Sequence, residues 1–417
     1  MRPMLPLHRS WPVAALASLL LCALAPPTAV ADSHECDALA TTLERLETLE
    51  QPAAGRLRDP VGRWREQAIA VIARRYADRC VRLNQVQVIG SHNSYHIQPV
   101  PALIDIYSQV DPQAIFWEYT HAPLMEQFTE QGIRQIELDV YSDPDGGYYA
   151  HPLGQLLLDP NSYIPELEPP GIKVLHVQDL DWNTTCQFLV ECLSQVRDWS
   201  LANPDHLPLF VLIEAKDDPT PISAPPPPFD VAAFDTLDAE IRSVFAPGHV
   251  ITPDEVRGER DTLEEAVLLD GWPTLGASRG RVLFGLDNGG SKRLDYLEGH
   301  PGLRGRVLFT NANPGDDDAA FVKRNSPLSD LEIPDLVHAG YLVRTRADGD
   351  TVQARENDTT QRDAALESGA QYVSTDYRVP DLDFSAYQVV LPDELPGRCN
   401  PVNAPPGCRP TALETGP

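Results

Sequence analysis

Three short segments of this chain end on polar side chains spaced two residues apart. Ile136-Glu137-Leu138-Asp139 sets two carboxylates at that spacing, with Ile136 and Leu138 alternating between them. Ile213-Glu214-Ala215-Lys216 sets a carboxylate beside an amine, and Leu342-Val343-Arg344-Thr345-Arg346 sets two guanidiniums together. In a β-strand, residues i and i+2 share a face, so each pair would lie on one side of its strand. Burying unpaired charge is costly, and a chain that does it three times needs a reason. One reason is an internal salt-bridge network, Glu214 with Arg344 for example. The other is a reactive site. Two histidine-bearing segments flank the carboxylate pair: Gly90-Ser91-His92-Asn93-Ser94-Tyr95-His96 before it, and Gly146-Gly147-Tyr148-Tyr149-Ala150-His151-Pro152 after it. Carboxylates with an amide oxygen are hard ligands, suited to calcium or magnesium. Such an ion can bind a phosphoryl oxygen and lower the pKa of an attacking hydroxyl. Histidines move protons near neutral pH. Lys216, Arg344 and Arg346 can hold phosphate. Together these residue types point to phosphodiester cleavage.

The elements that must carry these residues can be read from apolar periodicity. Short apolar runs recur at 86–90, 134–141, 173–177, 209–216, 281–286, 306–310, 341–346 and 371–375. Helical patterns lie between several of them, most clearly at 186–201, 231–245 and 358–369. Eight strands alternating with helices predict a TIM-like (β/α)8 barrel, in which sites form at the C-terminal ends of strands. An open doubly wound sheet is the alternative, but no glycine-rich phosphate loop follows the first run.

Other segments frame this domain. Residues 1–31 read as a secretory signal, with Arg2 and Arg9, an uncharged stretch from Trp11 to Ala25, and Ala29-Val30-Ala31 for cleavage. Residues 32–84 predict a helical N-terminal extension, with Leu39, Leu43, Leu46 and Leu49, then Trp64, Ala68, Ile72 and Tyr76, at helical spacing. The barrel spans 85–391, and 392–417 is a proline- and glycine-rich tail. Cleavage would leave Cys36, Cys80, Cys186, Cys192, Cys399 and Cys408, an even set that favours disulfides in an exported chain. Their order suggests local pairs, 36–80, 186–192 and 399–408, among the 15 pairings that six cysteines permit. Six helical residues rise about 9 Å, beyond the roughly 7 Å that a bridge spans. Cys186 must therefore precede any helix that holds Cys192. The net charge of −28 opposes nucleic-acid binding and strongly anionic membrane. An acidic protein acting on anionic lipid needs a cation at its site.

Taken together, the His-Asn pair after strand one, Glu-x-Asp ending strand two and the histidine that follows resemble phosphatidylinositol phospholipases C. The strand-four Ile-Glu-x-Lys and the closing Gly-Ala-Gln-Tyr-Val-Ser-Thr-Asp-Tyr resemble their bacterial, secreted, calcium-dependent branch. The resemblance spans residues 85–380. It implies one calcium held by Asn93, Glu137, Asp139 and Glu214, with magnesium also compatible with the ligand types. It gives His92 to charge on the phosphoryl group, His151 to protonation of the diacylglycerol oxygen, and Glu137 to the proton of the inositol 2-hydroxyl. Lys216, Arg344 and Arg346 would contact the substrate. The partner implied is phosphatidylinositol or a related inositol lipid, met in transient contact with a membrane surface. A monomer is expected, in the periplasm or outside the cell.

Departures from the family pattern are also legible. No hydrophobic rim, accessory lipid-binding domain or lysine-rich pocket for polyphosphorylated head groups stands out in the sequence. Two other functions compete. A glycerophosphodiester phosphodiesterase would use a similar barrel and Glu-x-Asp pair, but prefers arginine where Asn93 follows His92. A catalytically inactive phosphoinositide-binding barrel would not need both His92 and His151.

Overall fold

The computed structural model describes residues 33–49, 60–220 and 222–414. Residues 1–31, read above as a secretory signal, lie outside the described residues. Eleven strands form one sheet: β1 Val86–Ser91, β2 Gln135–Tyr141, β3 Lys173–Val174, β4 Leu209–Lys216, β5 Val250–Ile251, β6 Val282–Leu286, β7 Leu308–Thr310, β8 Phe321–Lys323, β9 Leu342–Arg346, β10 Tyr372–Thr375 and β11 Gly397–Cys399. Parallel pairing runs β1–β2–β4–β6–β7 on one arc and β8–β9–β10–β1 on the other. A parallel bridge between Asn311, just after β7, and Phe321 of β8 joins the arcs. Eight parallel strands thus close into a barrel.

The count of eight matches the sequence reading, but its membership does not. The run at 173–177 is not a barrel strand. Only Lys173–Val174 is extended, and it pairs antiparallel with the end of β2 (Val140 with Val174) as a ribbon above the barrel. The missing stave is β8, a three-residue strand for which no run was read. β5 shares one edge of β6 with β7, and β11 pairs antiparallel with the first half of β1.

The barrel interior is packed in layers. The Phe210 ring stacks on Tyr372 at 4.4 Å between centroids and meets Phe321 edge-on at 5.1 Å. Gly285 makes room for it, because a Cβ there would lie 2.4 Å from the Phe210 ring. Amphipathic helices coat the outside. Helix Leu189–Ala202 buries Leu189, Leu193, Val196 and Trp199, and helix Val231–Val244 buries Phe234, Leu237 and Ile241. The latter begins where Asp230 accepts a hydrogen bond from the Ala233 N–H, which satisfies one orphan donor of the first turn.

Helices Ser33–Thr48 and Pro60–Cys80 form the N-terminal extension and are joined by Cys36–Cys80. Leu39 and Leu43 are buried as expected. In the second helix the buried stripe is Ala73, Tyr76 and Ala77, while Trp64 is exposed. The face is turned because the helix packs toward the tail, where Gly407 lies under the Tyr76 ring. Cys399–Cys408 and Cys186–Cys192 are the other two disulfides. Cys186 precedes the helix that holds Cys192, and their Cα atoms are 5.4 Å apart.

Candidate active site

Strand register decides which charges meet. In the β2–β4 pair, Asp139 lies opposite Glu214 and Tyr141 opposite Lys216, so the inward faces of both strands end on charge at one level. Oxygens of Glu137, Asp139 and Glu214 all lie within 4.8 Å of one another. Two cations answer them. Lys216 Nζ is 3.2 Å from Asp139 Oδ2 and 3.6 Å from Glu214 Oε2. Arg344 Nη2 donates to Glu137 Oε2 over 2.6 Å, and its Nη1 donates to Asn325 Oδ1. Charge pairing among the three strand ends is therefore real, but Arg344 pairs with Glu137 rather than with Glu214.

The pairing is incomplete. Both oxygens of fully buried Asp139 lack a hydrogen-bond donor, since Lys216 sits near Oδ2 without the geometry of a bond. Burial pushes the Asp139 carboxyl well above the usual carboxylate range; Lys216 opposes that rise, and the charges of Glu214 and Glu137 add to it. Burial likewise lifts Glu137 to about 7 against the pull of Arg344. Asn93 completes the group. It is 2% exposed, its backbone is in the left-handed region at φ +43°, and its Oδ1 also lacks a partner. The Ser94 N–H, bonded to the Glu137 carbonyl at 2.9 Å, ties this loop to β2. Three crowded carboxylates, with Asp139 and the buried Asn93 amide oxygen lacking donors, fit a hard divalent cation.

His92 stands beside this group. Its Nδ1 is 2.9 Å from Asp376 Oδ1, and its Nε2 accepts from Arg346 Nη1 at 3.2 Å. Glu137 Oε1 is 3.9 Å from Nε2. The His92 carbonyl accepts from His121 Nε2 at 2.7 Å. Burial and the Arg346 charge hold the His92 imidazole well below its usual range, against Asp376. A cavity of about 150 Å³ opens here, with His92, Tyr119, His176, Arg346, Asp350 and Asp376 in its wall.

A second histidine network backs that wall. Asp181 Oδ2 meets His96 Nε2 at 2.7 Å and His176 Nδ1 at 2.8 Å, and His96 Nδ1 reaches the Tyr119 carbonyl at 2.9 Å. The His96 ring is thus held on both sides, by a carbonyl at one nitrogen and a carboxylate at the other.

The remaining sequence-derived residues fall in different places. Arg346 faces the cavity, whereas Arg344 is 1% exposed and occupied by Glu137. His151 is exposed, its ring stacked on Tyr163 at 5.4 Å between centroids. Tyr119 and Asn325 carried no signal, because each sits in an irregular loop. Asp376, just past the last strand, could be read from sequence either as orienting a site residue or as capping a helix, and it contacts the His92 ring. The sequence also showed no hydrophobic rim. Exposed Ile106, Val110, Leu157, Leu158, Val352 and Leu382 lie in the segments that follow β1, β2, β9 and β10.

Comparison with known proteins gives three findings. The family model described as phosphoinositide phospholipase C, Ca2+-dependent, matches residues 81–401. No curated protein matches the chain. Among solved structures, a calcium-dependent phosphoinositol-specific phospholipase C from Pseudomonas sp. is similar at 16% identity and a TM-score of 0.45, covering 77% of this chain and 96% of that one. The myoinositol complex of the Pseudomonas enzyme gives 16% identity and a TM-score of 0.46, with 76% and 95% covered. A Ca2+-dependent phosphatidylinositol-specific phospholipase C from Streptomyces antibioticus gives 18% identity and a TM-score of 0.47, with 72% and 96% covered.

Proposed function

The chain belongs to the Ca2+-dependent phosphoinositide phospholipase C family, and from that premise we propose that it cleaves phosphatidylinositol to diacylglycerol and a cyclic inositol phosphate. The observation that carries this reading is the cluster of Glu137, Asp139 and Glu214, with Asp139 and the nearby Asn93 oxygen lacking hydrogen-bond donors, beside a carboxylate-held His92. These four side chains would hold one calcium ion. When bound, it would supply Lewis-acid stabilisation of a phosphoryl oxygen and acidify the attacking hydroxyl.

The chain's own residues do the rest. Glu137 takes the proton of the inositol 2-hydroxyl as its oxygen bonds to phosphorus. The phosphorus–glycerol oxygen bond breaks, and His151 gives that oxygen a proton. Arg346 faces the developing charge, and Asp376 fixes the His92 ring beside it through Nδ1. Lys216 and Arg344 act mainly on the carboxylates, keeping three acids at one place from repelling each other. The exposed apolar side chains in the segments after β1, β2, β9 and β10 would enter the lipid surface briefly. The signal-like N-terminus and the three disulfides support the reading of a secreted protein.

The test is release of inositol phosphates from phosphatidylinositol micelles in calcium and in EGTA. Cyclic inositol phosphate in calcium alone is the expected result. Cleavage of glycerophosphoinositol in place of the lipid would shift the reading to a glycerophosphodiester phosphodiesterase. Inertness toward both would leave a binding barrel.

A further inference from the structure

A primary amide has two ends of similar size and opposite chemistry. The oxygen accepts and the nitrogen donates two protons. Only the oxygen can face a cation. For Asn93, at 2% exposure, bulk water cannot satisfy whichever end faces inward. Asn93 Nδ2 donates to the Tyr119 hydroxyl over 3.0 Å, and Oδ1 is left without a donor.

We propose that Tyr119 is a positioning residue for calcium: its hydroxyl takes the Asn93 N–H and so turns Oδ1 toward the carboxylates. The proposal rests on the reading that Asn93, Glu137, Asp139 and Glu214 hold the ion. Without the hydroxyl, the ligating orientation leaves a buried N–H unpaired, and the metal-free amide is free to turn over. Partners that orient a ligand in this way commonly govern metal affinity by 10- to 100-fold.

Tyr119 is itself held in a closed circuit of contacts. Its carbonyl accepts from His96 Nδ1 at 2.9 Å, and the two rings pack at 4.2 Å between centroids. The His96 backbone N–H returns to the Asn93 carbonyl at 2.8 Å. Asp181 fixes the far side of the His96 ring. The neighbouring Glu118 is tied to Arg355 at 2.6 Å, which anchors the segment to the loop after β9. The buried His96–Asp181 pair thus has a use: it holds rigid the backbone on which the orienting hydroxyl rides. Neither histidine nor tyrosine touches the ion in this arrangement.

Calcium titration calorimetry on the mature protein tests it, with wild type, Tyr119→Phe, Asn93→Ala and the double variant. Thermal midpoints in EGTA report on the fold. Tyr119→Phe should weaken calcium about 10- to 100-fold while its EGTA midpoint stays near wild type. In the Asn93→Ala background, where no amide needs orienting, the same change should cost less than about 3-fold. Unchanged affinity in Tyr119→Phe would overturn the proposal. So would an equal loss in both backgrounds, since Tyr119 would then be acting on the site as a whole. If wild type and Asp139→Asn bind calcium alike, the ion is not held by these carboxylates, and the reading beneath the proposal falls with it.

Discussion

The two ends of strand β2 treat buried charge in opposite ways. Just before the strand, the Arg134 guanidinium meets Glu414 with two bonds, 3.0 and 2.5 Å, and gives a third and fourth to the Phe128 and Ile133 carbonyls. Glu414 also accepts from the Leu207 N–H at the start of β4. Near the other end, Asp139 is equally buried, yet neither of its oxygens has a donor. One end is closed with matched partners from the tail, whereas at the other three carboxylates share two cations, Lys216 and Arg344, and Asp139 has an ion pair but no hydrogen bond. A barrel can spend stability at its mouth because its floor is sealed.

That contrast can be broken from either side. The largest expected effect is at the mouth. Asp139→Asn should lower calcium-dependent phosphatidylinositol cleavage by roughly 10³-fold, the scale of several kcal/mol of charge stabilisation. Its thermal midpoint in EGTA should change little, because crowding of three carboxylates is relieved while Lys216 keeps Glu214 as a partner. A large loss of stability would mean that Asp139 is structural.

At the floor the signs reverse. Arg134→Met should leave turnover in calcium near wild type but cost about 3–5 kcal/mol, because Glu414 is left buried without its partner. Urea unfolding read beside activity separates the two effects.

A smaller effect sharpens the comparison through pH. His206, also at the floor, is enclosed by Ser200 and the Leu207 carbonyl, and burial lowers its pKa to about 4. The folded state therefore binds this proton later than the unfolded chain does. Its contribution is complete above pH 6.5 and is lost as pH falls from 6.5 toward 4, by up to roughly 3 kcal/mol. His206→Gln should flatten that window in the difference between the two urea midpoints, measured at pH 7.5 and pH 5. An unchanged difference would remove His206 from the account.

Much of the site was legible because chemistry and periodicity coincide in short segments. Glu137 with Asp139, Glu214 with Lys216, and Arg344 with Arg346 stand out wherever charge alternates with apolar residues in a strand. The three cysteine pairs were readable from order and reach. Most strands announced themselves as apolar runs, even three-residue β7 within the run at 306–310, whereas β8 is a three-residue strand for which no run was read. The run at 173–177 looked like a stave because its apolar residues are those of a buried strand; only its partner, the end of β2, makes it an antiparallel ribbon.

By itself the sequence determined the barrel class, the charged side chains of the candidate site and the strands that bear them, since these follow from local alternation and side-chain chemistry. The tertiary structure alone decided pairing. It set Arg344 on Glu137, Asp376 on His92 and the Tyr119 hydroxyl on Asn93. Those partners lie 207, 284 and 26 residues apart, and strand register and loop closure bring them within bonding distance. No local pattern encodes such a meeting.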